Sequence, residues 1–211
     1  MAFEYFNLKK GLEVNSLYFK KNQKKIFSNR NGVIIKNLGI LNIFNIRGNI
    51  KSKSFNLLIK ELFSMKTSIN LGQFFTRNEN YLLNIGPDES LLICKKNNFN
   101  LLDKLNKSLK NINCFITDIS DSYEVLNIQG EKARWVLSKG CPLNFDKNDF
   151  FPGKCAQSHI SHLNFTIFCN EEDSFTLLCV SSFSNYLLDW LMDASTEHGY
   201  VYTNFNLQKE K

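Results

Sequence analysis

The stretch Asp118-Ile-Ser-Asp-Ser-Tyr-Glu-Val-Leu-Asn-Ile-Gln-Gly-Glu-Lys-Ala-Arg-Trp-Val-Leu-Ser-Lys-Gly-Cys-Pro-Leu143 carries a strand, a tight turn and a helix in succession. Residues 123–128 combine aromatic and β-branched side chains with partial alternation, which predicts a half-buried strand. Gly130 supplies the turn, and apolar residues at helical spacing predict a helix over 131–139. Gly140, at the position of a left-handed C-cap, and the proline behind it end this helix.

The order of strand, glycine and helix also occurs earlier in the chain. Phe44-Asn-Ile-Arg-Gly48 matches Val125-Leu-Asn-Ile-Gln-Gly130 in pattern. We therefore predict an α+β fold of two pseudo-repeated lobes, each running strand, helix, strand, strand, helix, with mainly antiparallel sheets. The expected division is a basic, partly extended arm over 1–32, a first lobe over 33–112 and a second lobe over 113–211, the lobes forming one compact unit.

Apolar spacing and turn residues predict the remaining elements. In the first lobe these are a strand at 40–46, a helix with Phe55, Leu58, Ile59 and Leu62 on one face, strands at 70–75, 80–85 and 91–94, and a helix at 99–109. In the second lobe they are strands at 165–169 and 175–180 and a helix at 183–194. We expect Tyr186 and Trp190 of that last helix to fill the core rather than face a partner.

The composition indicates a globular protein of the cytoplasm. Hydrophobic residues make up 43% of the 211 residues, and 19 residues are Phe, which suffices for a sizeable core. The sequence holds no apolar run of about 18 residues that could span a membrane, and its first residues lack the apolar region of a signal peptide. The six cysteines are then expected to be reduced thiols that pack as small hydrophobic residues.

Positive charge is concentrated near the N-terminus. Residues 1–60 contain 12 Lys and Arg against Glu4 and Glu13, in a chain of net charge +6. A basic arm beside a mildly acidic body is typical of nucleic-acid binders, but this arm lacks interleaved aromatic residues and a recognisable motif. We therefore expect no nucleic acid partner, and interpret the arm as solvated or as lying on an acidic partner subunit.

Four blocks of sequence carry a resemblance to a known family. In chain order they are Leu83-Asn-Ile-Gly-Pro-Asp-Glu-Ser-Leu-Leu92, Lys139-Gly-Cys-Pro-Leu143, Phe150-Phe-Pro-Gly-Lys-Cys-Ala-Gln157 and Ser181-Ser-Phe-Ser-Asn-Tyr-Leu-Leu-Asp-Trp-Leu191. With these blocks at these separations, the chain resembles the gamma subunit of bacterial heterotetrameric sarcosine oxidase. The resemblance implies a fold related to the folate-binding domain of aminomethyltransferases.

By this resemblance the chain is a non-catalytic gamma subunit with a structural and assembly role, in a hetero-oligomer with alpha, beta and delta subunits. The assembly would oxidise the N-methyl group of sarcosine, giving glycine and hydrogen peroxide and passing the one-carbon unit to tetrahydrofolate. FAD, FMN, NAD, zinc and tetrahydrofolate would be bound by the other subunits, and no cofactor by this chain. The alternatives are the corresponding subunit of a related enzyme such as N-methylglutamate dehydrogenase, and a stand-alone folate-binding protein.

The residues themselves predict no catalytic constellation. The ten glycines form no G-x-G pair, so there is no Rossmann fingerprint, and neither a P-loop nor a G-x-S-x-G elbow is present. His159 and His162 form H-x-x-H, but strand geometry would point them to opposite faces, and no C-x-x-C accompanies them. His198 has no evident Ser or Cys partner. We therefore expect no metal site and name no catalytic residue.

Two pairs of residues allow both a functional and a structural interpretation. Cys141 and Cys155 lie in the family-like blocks and could be redox-active, but no histidine adjoins them, so packing is the preferred interpretation. Asp118 and Asp121 could hold a pterin ring in a folate-binding fold. A short carboxylate at a turn more often accepts local backbone N–H groups, which favours an Asx turn.

The segment between the helix at 131–139 and the next strand is rich in proline, glycine and phenylalanine. Rigid turns beside exposed aromatic residues are common at protein interfaces. We predict that a subunit interface is formed by Gly140, Cys141, Pro142, Phe150, Phe151, Pro152, Gly153, Lys154 and Gln157. A loop that lines the core is the alternative.

Overall fold

A computed structural model describes residues 26–27, 32–39, 41–63, 70–94, 105–109 and 112–204. These residues form two mainly antiparallel sheets with few helices, so the predicted α+β class is confirmed. Most of the predicted basic arm, the start of the helix predicted at 99–109 and the side chain of Leu62 lie outside the described residues.

In chain order the strands are β1 (Ile26–Phe27), β2 (Val33–Asn37), β3 (Asn42–Gly48), β4 (Gln73–Arg77), β5 (Asn80–Asn84), β6 (Glu89–Cys94), β7 (Cys114–Asp118), β8 (Tyr123–Gln129), β9 (Cys155–Ile160), β10 (Leu163–Glu171), β11 (Ser174–Val180) and β12 (Tyr200–Asn204). The helices are α1 (Lys53–Phe63), α2 (Ala133–Ser138) and α3 (Ser184–Ser195), and residues 105–109 are also helical. Short 3-10 turns precede β8 and α3.

The predicted pseudo-repeat is visible in the strand order. One sheet runs β4-β5-β6-β3-β7, and the other runs β1-β12-β2-β8-β11-β10-β9. Strands β9-β10-β11-β8-β12 match β4-β5-β6-β3-β7, except that β2 is inserted between β8 and β12. Each repeat therefore runs strand, helix, three strands, helix and strand. It has three strands between its helices where the predicted order has two, and one further strand after the second helix.

The chain divides into two compact units. The first unit contains the five-stranded sheet and comprises residues 40–120 and 153–156. The second unit contains most of the seven-stranded sheet and comprises residues 1–39, 121–152 and 157–211. These boundaries differ from the division at residue 112 predicted from the sequence. The reason is strand pairing: β2 bonds to β8 and β12, whereas β7 bonds to β3.

Two glycines end the first strand of each repeat in the same way. Gly48 has φ +135° at the end of β3, and Gly130 has φ +127° directly after β8. Their N–H groups donate to the backbone oxygens of Asp88 (3.0 Å) and Asp173 (2.9 Å). A Cβ would lie 2.3 Å from a backbone oxygen at Gly48 and 2.6 Å from one at Gly130. The backbone conformation and the close approach both require glycine, which confirms the two predicted turns.

In the unit with the five-stranded sheet, helices cover one face of the sheet. Phe55 and Ile59 of α1 and Leu105 and Leu109 of the second helical segment pack in one cluster with Ile46 and other side chains of the sheet. Leu58 is partly buried against the same cluster, as its place on the predicted helical face requires. The Ser52 Oγ accepts the N–H of Phe55 at 3.1 Å and so caps the start of α1.

In the unit with the seven-stranded sheet, two expectations about burial are wrong. Residues 125–128 of β8 are all buried, so this strand is covered on both faces rather than half-buried. Tyr186 of α3 is 44% exposed, and Trp190 is only partly buried. The helix buries Ser184, Leu187, Leu188, Leu191, Met192 and Ser195. The aromatic and the aliphatic residues of α3 both recur at helical spacing, so the sequence allows either side of the helix to be buried. The buried side is the aliphatic one, where the small serines let the helix pack closely. None of the described helices is long and apolar enough to cross a membrane.

Candidate functional site

The end of α2 is shaped by contact with α3. Gly140 does not adopt the predicted left-handed conformation. Instead, the N–H of Cys141 donates to the Leu137 oxygen at 3.1 Å and closes the helix. A Cβ at Gly140 would lie 2.5 Å from Cζ2 of Trp190. Gly140 is therefore a packing residue, required because the indole of Trp190 occupies the space of a side chain.

Arg134 of α2 holds the loop that follows this helix. Its Nη1 donates to the backbone oxygens of Phe145 (2.7 Å) and Phe150 (2.9 Å). Its Nε donates to Oδ1 of Asp173 at 3.1 Å, and its Nη2 donates to the backbone oxygen of Glu172. The Arg134 side chain is only 11% exposed, so these acceptors replace the water that a buried cation needs. The guanidinium thus ties both ends of the loop to the β10–β11 turn.

An aromatic cluster lies under this loop. The Phe145 ring packs edge-to-face on Phe150 (5.7 Å between ring centroids) and on Phe175 of β11 (5.8 Å), and the Phe150 ring stacks on Phe175 at 6.2 Å. Arg134 lies over the Phe175 ring at 5.0 Å. The role of Arg134 cannot be predicted from the sequence, because backbone acceptors have no signature there.

The predicted interface residues divide into buried and exposed members. Cys141 and Phe150 are buried, as the alternative of a core-lining loop requires. Pro142, Phe151, Pro152 and Gln157 are exposed and so can be reached by a partner. Gly140, Gly153 and Lys154 are intermediate.

Residues 153–155 of the predicted interface pair with the start of β4. The Phe74 N–H donates to the Gly153 oxygen (2.9 Å), and the Cys155 N–H donates to the Gly72 oxygen (2.9 Å). Lys154 forms an isolated bridge with Gln73. Gly153 has φ +96°, and a Cβ there would meet no atom within 4 Å. Its glycine is therefore explained by backbone conformation rather than by crowding.

A second group of exposed aromatic residues was not predicted. Trp135 of α2 is 45% exposed. Its ring contacts His198 edge-to-face at 4.6 Å, and the Lys139 Nζ lies 4.0 Å from its centroid. Phe183, just before α3, is 52% exposed. The sequence gives no signal for the exposure of Trp135, because that residue precedes the apolar Val136 and Leu137, whereas Phe183 lies among serines.

Asp118 forms the Asx turn that the sequence analysis favours. Its Oδ1 accepts the backbone N–H of Ser120 (2.9 Å) and the Ser120 hydroxyl (2.5 Å). The Ser120 Oγ in turn accepts the Ile43 N–H at 2.9 Å. The Asp118 carboxylate thus fixes the end of β7 against β3. Asp121, in the following 3-10 turn, is exposed, and its backbone oxygen accepts the Ser181 hydroxyl.

All three histidines lie in the part of the chain that the structure describes. His159 of β9 and His162 of the β9–β10 turn are both exposed. His198 is partly buried against Trp135. Among the residues that the structure describes, no three His, Cys, Asp or Glu side chains are grouped so that they could hold a metal ion.

All six cysteines are buried and unpaired. Burial raises the pKa of Cys94, Cys155 and Cys179 to about 12 and that of Cys169 to about 11. These thiols are therefore protonated at neutral pH and are poor nucleophiles. The Cys141 Sγ lies 3.3 Å from the Ser158 hydroxyl. These positions fit the preferred interpretation of Cys141 and Cys155 as packing residues.

Glu124 is a titratable residue that the sequence analysis missed. It lies in β8 opposite Cys179 of β11, and burial raises the pKa of its carboxyl to about 7. A carboxyl with such a pKa is a candidate acid or base. Glu124 does not line the cavity of about 430 Å³ that opens on β9 and β10, next to Gln157 and His159. The lining of that cavity contains no carboxylate, lysine or arginine, and its titratable side chains are those of Tyr123 and His159.

Comparison with solved structures defines the class of fold. The chain superposes on aminomethyltransferase T of the glycine cleavage system from Bartonella henselae with a TM-score of 0.59, at 13% identity, over 83% of this chain and 48% of that chain. It superposes on a chain of the heterotetrameric sarcosine oxidase from Corynebacterium sp. U-96, in complex with pyrrole 2-carboxylate, with a TM-score of 0.72, at 21% identity, over 91% and 93% of the two chains. The chain thus has an aminomethyltransferase-like fold.

The family is shown by sequence. The family model for the sarcosine oxidase gamma subunit matches residues 47–197. The chain therefore belongs to the sarcosine oxidase gamma subunit family, which confirms the resemblance. It is 30% identical over 113 residues to the gamma subunit from Corynebacterium sp. (strain U-96), covering 54% of this chain and 55% of that protein, and 28% identical over 113 residues to one from Arthrobacter sp, with the same coverage. The chain spans about half the length of the curated relatives it matches.

Proposed function

We propose that this chain is the non-catalytic gamma subunit of a heterotetrameric, flavin-dependent sarcosine oxidase, in which it has a structural and assembly role. Membership of the gamma subunit family over residues 47–197 is the observation that carries the proposal. The chain would thus be part of an oxidoreductase acting on CH–NH groups without supplying its active site.

In this proposal the complex would oxidise the N-methyl group of sarcosine and reduce oxygen to hydrogen peroxide, with flavin in the other subunits supplying the redox chemistry. Glycine leaves, and tetrahydrofolate takes the one-carbon unit. FAD, FMN, NAD, zinc and tetrahydrofolate would be held by the alpha, beta and delta subunits. The six cysteines of this chain, all buried as free thiols, suit a reducing compartment such as the cytoplasm.

The contribution of this chain would be a rigid surface. Arg134 fixes the loop over residues 144–150 at both ends, and the aromatic cluster fills the space beneath it. Pro142, Phe151 and Pro152 lie at or beside this loop and are exposed. A surface that is already ordered loses little conformational entropy on binding. We therefore propose these residues, together with Gln157, as part of the contact with another subunit.

Co-expression of the tagged chain with the products of the neighbouring genes tests this function. We expect one yellow complex on size-exclusion chromatography that oxidises sarcosine, and a colourless, inactive chain when it is expressed alone. Preference for N-methylglutamate over sarcosine would assign the complex to the related dehydrogenases. If the chain elutes apart from the flavin-containing proteins, the subunit role is refuted, and folate binding by the isolated chain becomes the test of the remaining alternative.

A further inference from the structure

Strand β7 forms an edge of the five-stranded sheet. It pairs with β3 on one side, and no described strand pairs with its other side. Phe115 of β7 is 75% exposed, the largest exposed fraction of any large hydrophobic residue in the described chain. Thr117 is exposed as well. Within the part of the chain that the structure describes, the backbone of this edge is unpaired and its most apolar side chain is exposed.

The hydrogen bonds of β3 show which groups of β7 point outward. The Ile119 N–H donates to the Ile43 oxygen at 2.9 Å, and the Asn49 N–H donates to the Asn113 oxygen at 3.4 Å. Antiparallel strands alternate between bonded and non-bonded residue pairs. Phe115 and Thr117 therefore bond to β3. The outward N–H and C=O groups belong to Cys114, Ile116 and Asp118.

The other repeat shows what covers an edge of this kind. Its matching strand is β12, the last strand of that repeat. The outer side of β12 is paired with β1, a short antiparallel strand that places Ile26 and Phe27 opposite Val201 and Tyr200. The edge of β12 is thus closed by an extended apolar segment from a distant part of the sequence. Strand β7 has the same place in its sheet without such a cover among the described residues.

The sequence of β7 does not protect it. Proteins usually blunt exposed edges with lysine, proline or a bulge. Cys114-Phe-Ile-Thr-Asp118 contains neither lysine nor proline, and its pairing with β3 has no break in register. Its single charge, Asp118, is engaged in the turn to Ser120. An uncovered edge of this composition would promote non-specific pairing with other strands. A specific partner that covers the edge explains why β7 lacks the usual protection.

We infer that β7 is a strand-addition site for an extended segment of another subunit of the complex, bound antiparallel as β1 is on β12. The segment bonds to the outward groups of Cys114, Ile116 and Asp118, and places an aromatic or branched apolar side chain against Phe115. Main-chain bonds supply affinity and the side-chain contact supplies selectivity. This inference rests on the proposed function, because it takes the partner to be a subunit of the same assembly.

Residue-resolved amide hydrogen exchange on the free chain and on the co-expressed complex tests the inference. We expect the amides of Cys114, Ile116 and Asp118 to exchange at least about tenfold more slowly in the complex. The inward amides of Phe115 and Thr117, already bonded to β3, are the internal control and should be slow in both samples. A complex that forms with unchanged exchange at the outward amides would overturn the inference and leave the proposed function intact. Failure of any complex to form would refute the proposed function instead.

Two matched substitutions test the side-chain contact. Phe115→Glu places a carboxylate on the edge, opposite the exposed guanidinium of Arg47, and should weaken assembly at least about tenfold. Leu57→Glu makes the same change on α1 in the same unit, where Leu57 is 66% exposed, and should leave assembly unchanged. Equal assembly of both variants overturns the inference. Slow exchange of the outward amides in the free chain also overturns the inference, because the edge of β7 is then already covered without another subunit. A doubled mass would show that a second copy of the chain covers it, and an unchanged mass that a segment of the same chain does.

Discussion

Gly140 and Trp190 are in contact at a distance that excludes any side chain at position 140. The ideal Cβ position at Gly140 lies 2.5 Å from Cζ2 and 3.2 Å from Cε2 of the indole. The contact joins the end of α2 to the middle of α3. The packing of α2 against α3 therefore requires that residue 140 has no side chain.

Gly140→Ala should destabilise the chain by about 1–3 kcal/mol, because the added methyl group forces the indole or the helix to move. Urea unfolding measures the change. Trp190→Phe removes the ring atoms that would collide, so the double variant should lose much less stability than the sum of the two single variants. Additive effects of the two substitutions would show that the contact does not limit position 140.

Arg134→Met should destabilise the chain by about 3–5 kcal/mol, because it leaves Asp173 and three backbone oxygens without their cationic donor. Limited proteolysis should then cut within residues 144–151, which Arg134 fixes. Arg134→Lys keeps the charge but loses the fork of donors, and should recover only part of the stability.

Lys147→Ala is the control for this prediction. Lys147 pairs with Glu172 beside the same loop, but both side chains are more than half exposed, at 58% and 63%. Exposed ion pairs contribute little to stability. Unfolding and proteolysis of this variant should match those of the unchanged chain. A comparable loss in both variants would mean that the loop is sensitive to any loss of positive charge.

Glu124 should make the chain less stable as the pH rises from about 4.5 to about 7. The carboxyl ionises near pH 4.5 in the unfolded chain, whereas burial raises its pKa to about 7 in the folded chain. In this range the folded state binds more protons, so stability is highest below it and falls until the folded pKa is passed. Glu124→Gln should flatten this slope in unfolding experiments between pH 4 and 8. Glu131→Gln, at a carboxyl that is 84% exposed, should keep the slope.

The cysteines should resist alkylation in the native chain at pH 8. Burial and a pKa of about 12 keep Cys94, Cys155 and Cys179 protonated and out of contact with the reagent. Mass spectrometry after treatment with iodoacetamide should show no modified cysteine in the native chain and six after unfolding. Rapid modification of Cys155 in the native chain would restore the redox interpretation.

The elements that sequence predicts best are those fixed by local chemistry. Gly48 and Gly130 mark the repeat because no other residue fits their backbone conformation, and a strand precedes each turn as predicted, although β8 is covered on both faces rather than half-buried. The local sequence does not determine which strands β2 pairs with. Residues 33–37 have a strand pattern wherever they pair, and only tertiary packing places them between β8 and β12.

The location of the candidate site could be predicted from the sequence, but the residue that holds its loop in place could not. The proline and glycine residues of the 140–157 segment predict a rigid loop, and its exposed members include Pro142 and Phe151. The residue that makes the loop rigid is Arg134, whose acceptors are mostly backbone oxygens. Such acceptors are supplied by any residue type. The sequence therefore does not reveal which arginine is buried.

The insertion of β2 between β8 and β12 has a kinetic consequence. Val33 pairs with Tyr200 in the parallel β2–β12 ladder, so residues near opposite ends of the described chain must meet before the seven-stranded sheet is complete. The five-stranded sheet needs no such meeting, since β3 to β7 follow one another within residues 42–118. Contacts between distant residues form slowly because closing a long loop is entropically costly. During synthesis the five-stranded sheet can form first, whereas one side of β2 stays unpaired until β12 has left the ribosome.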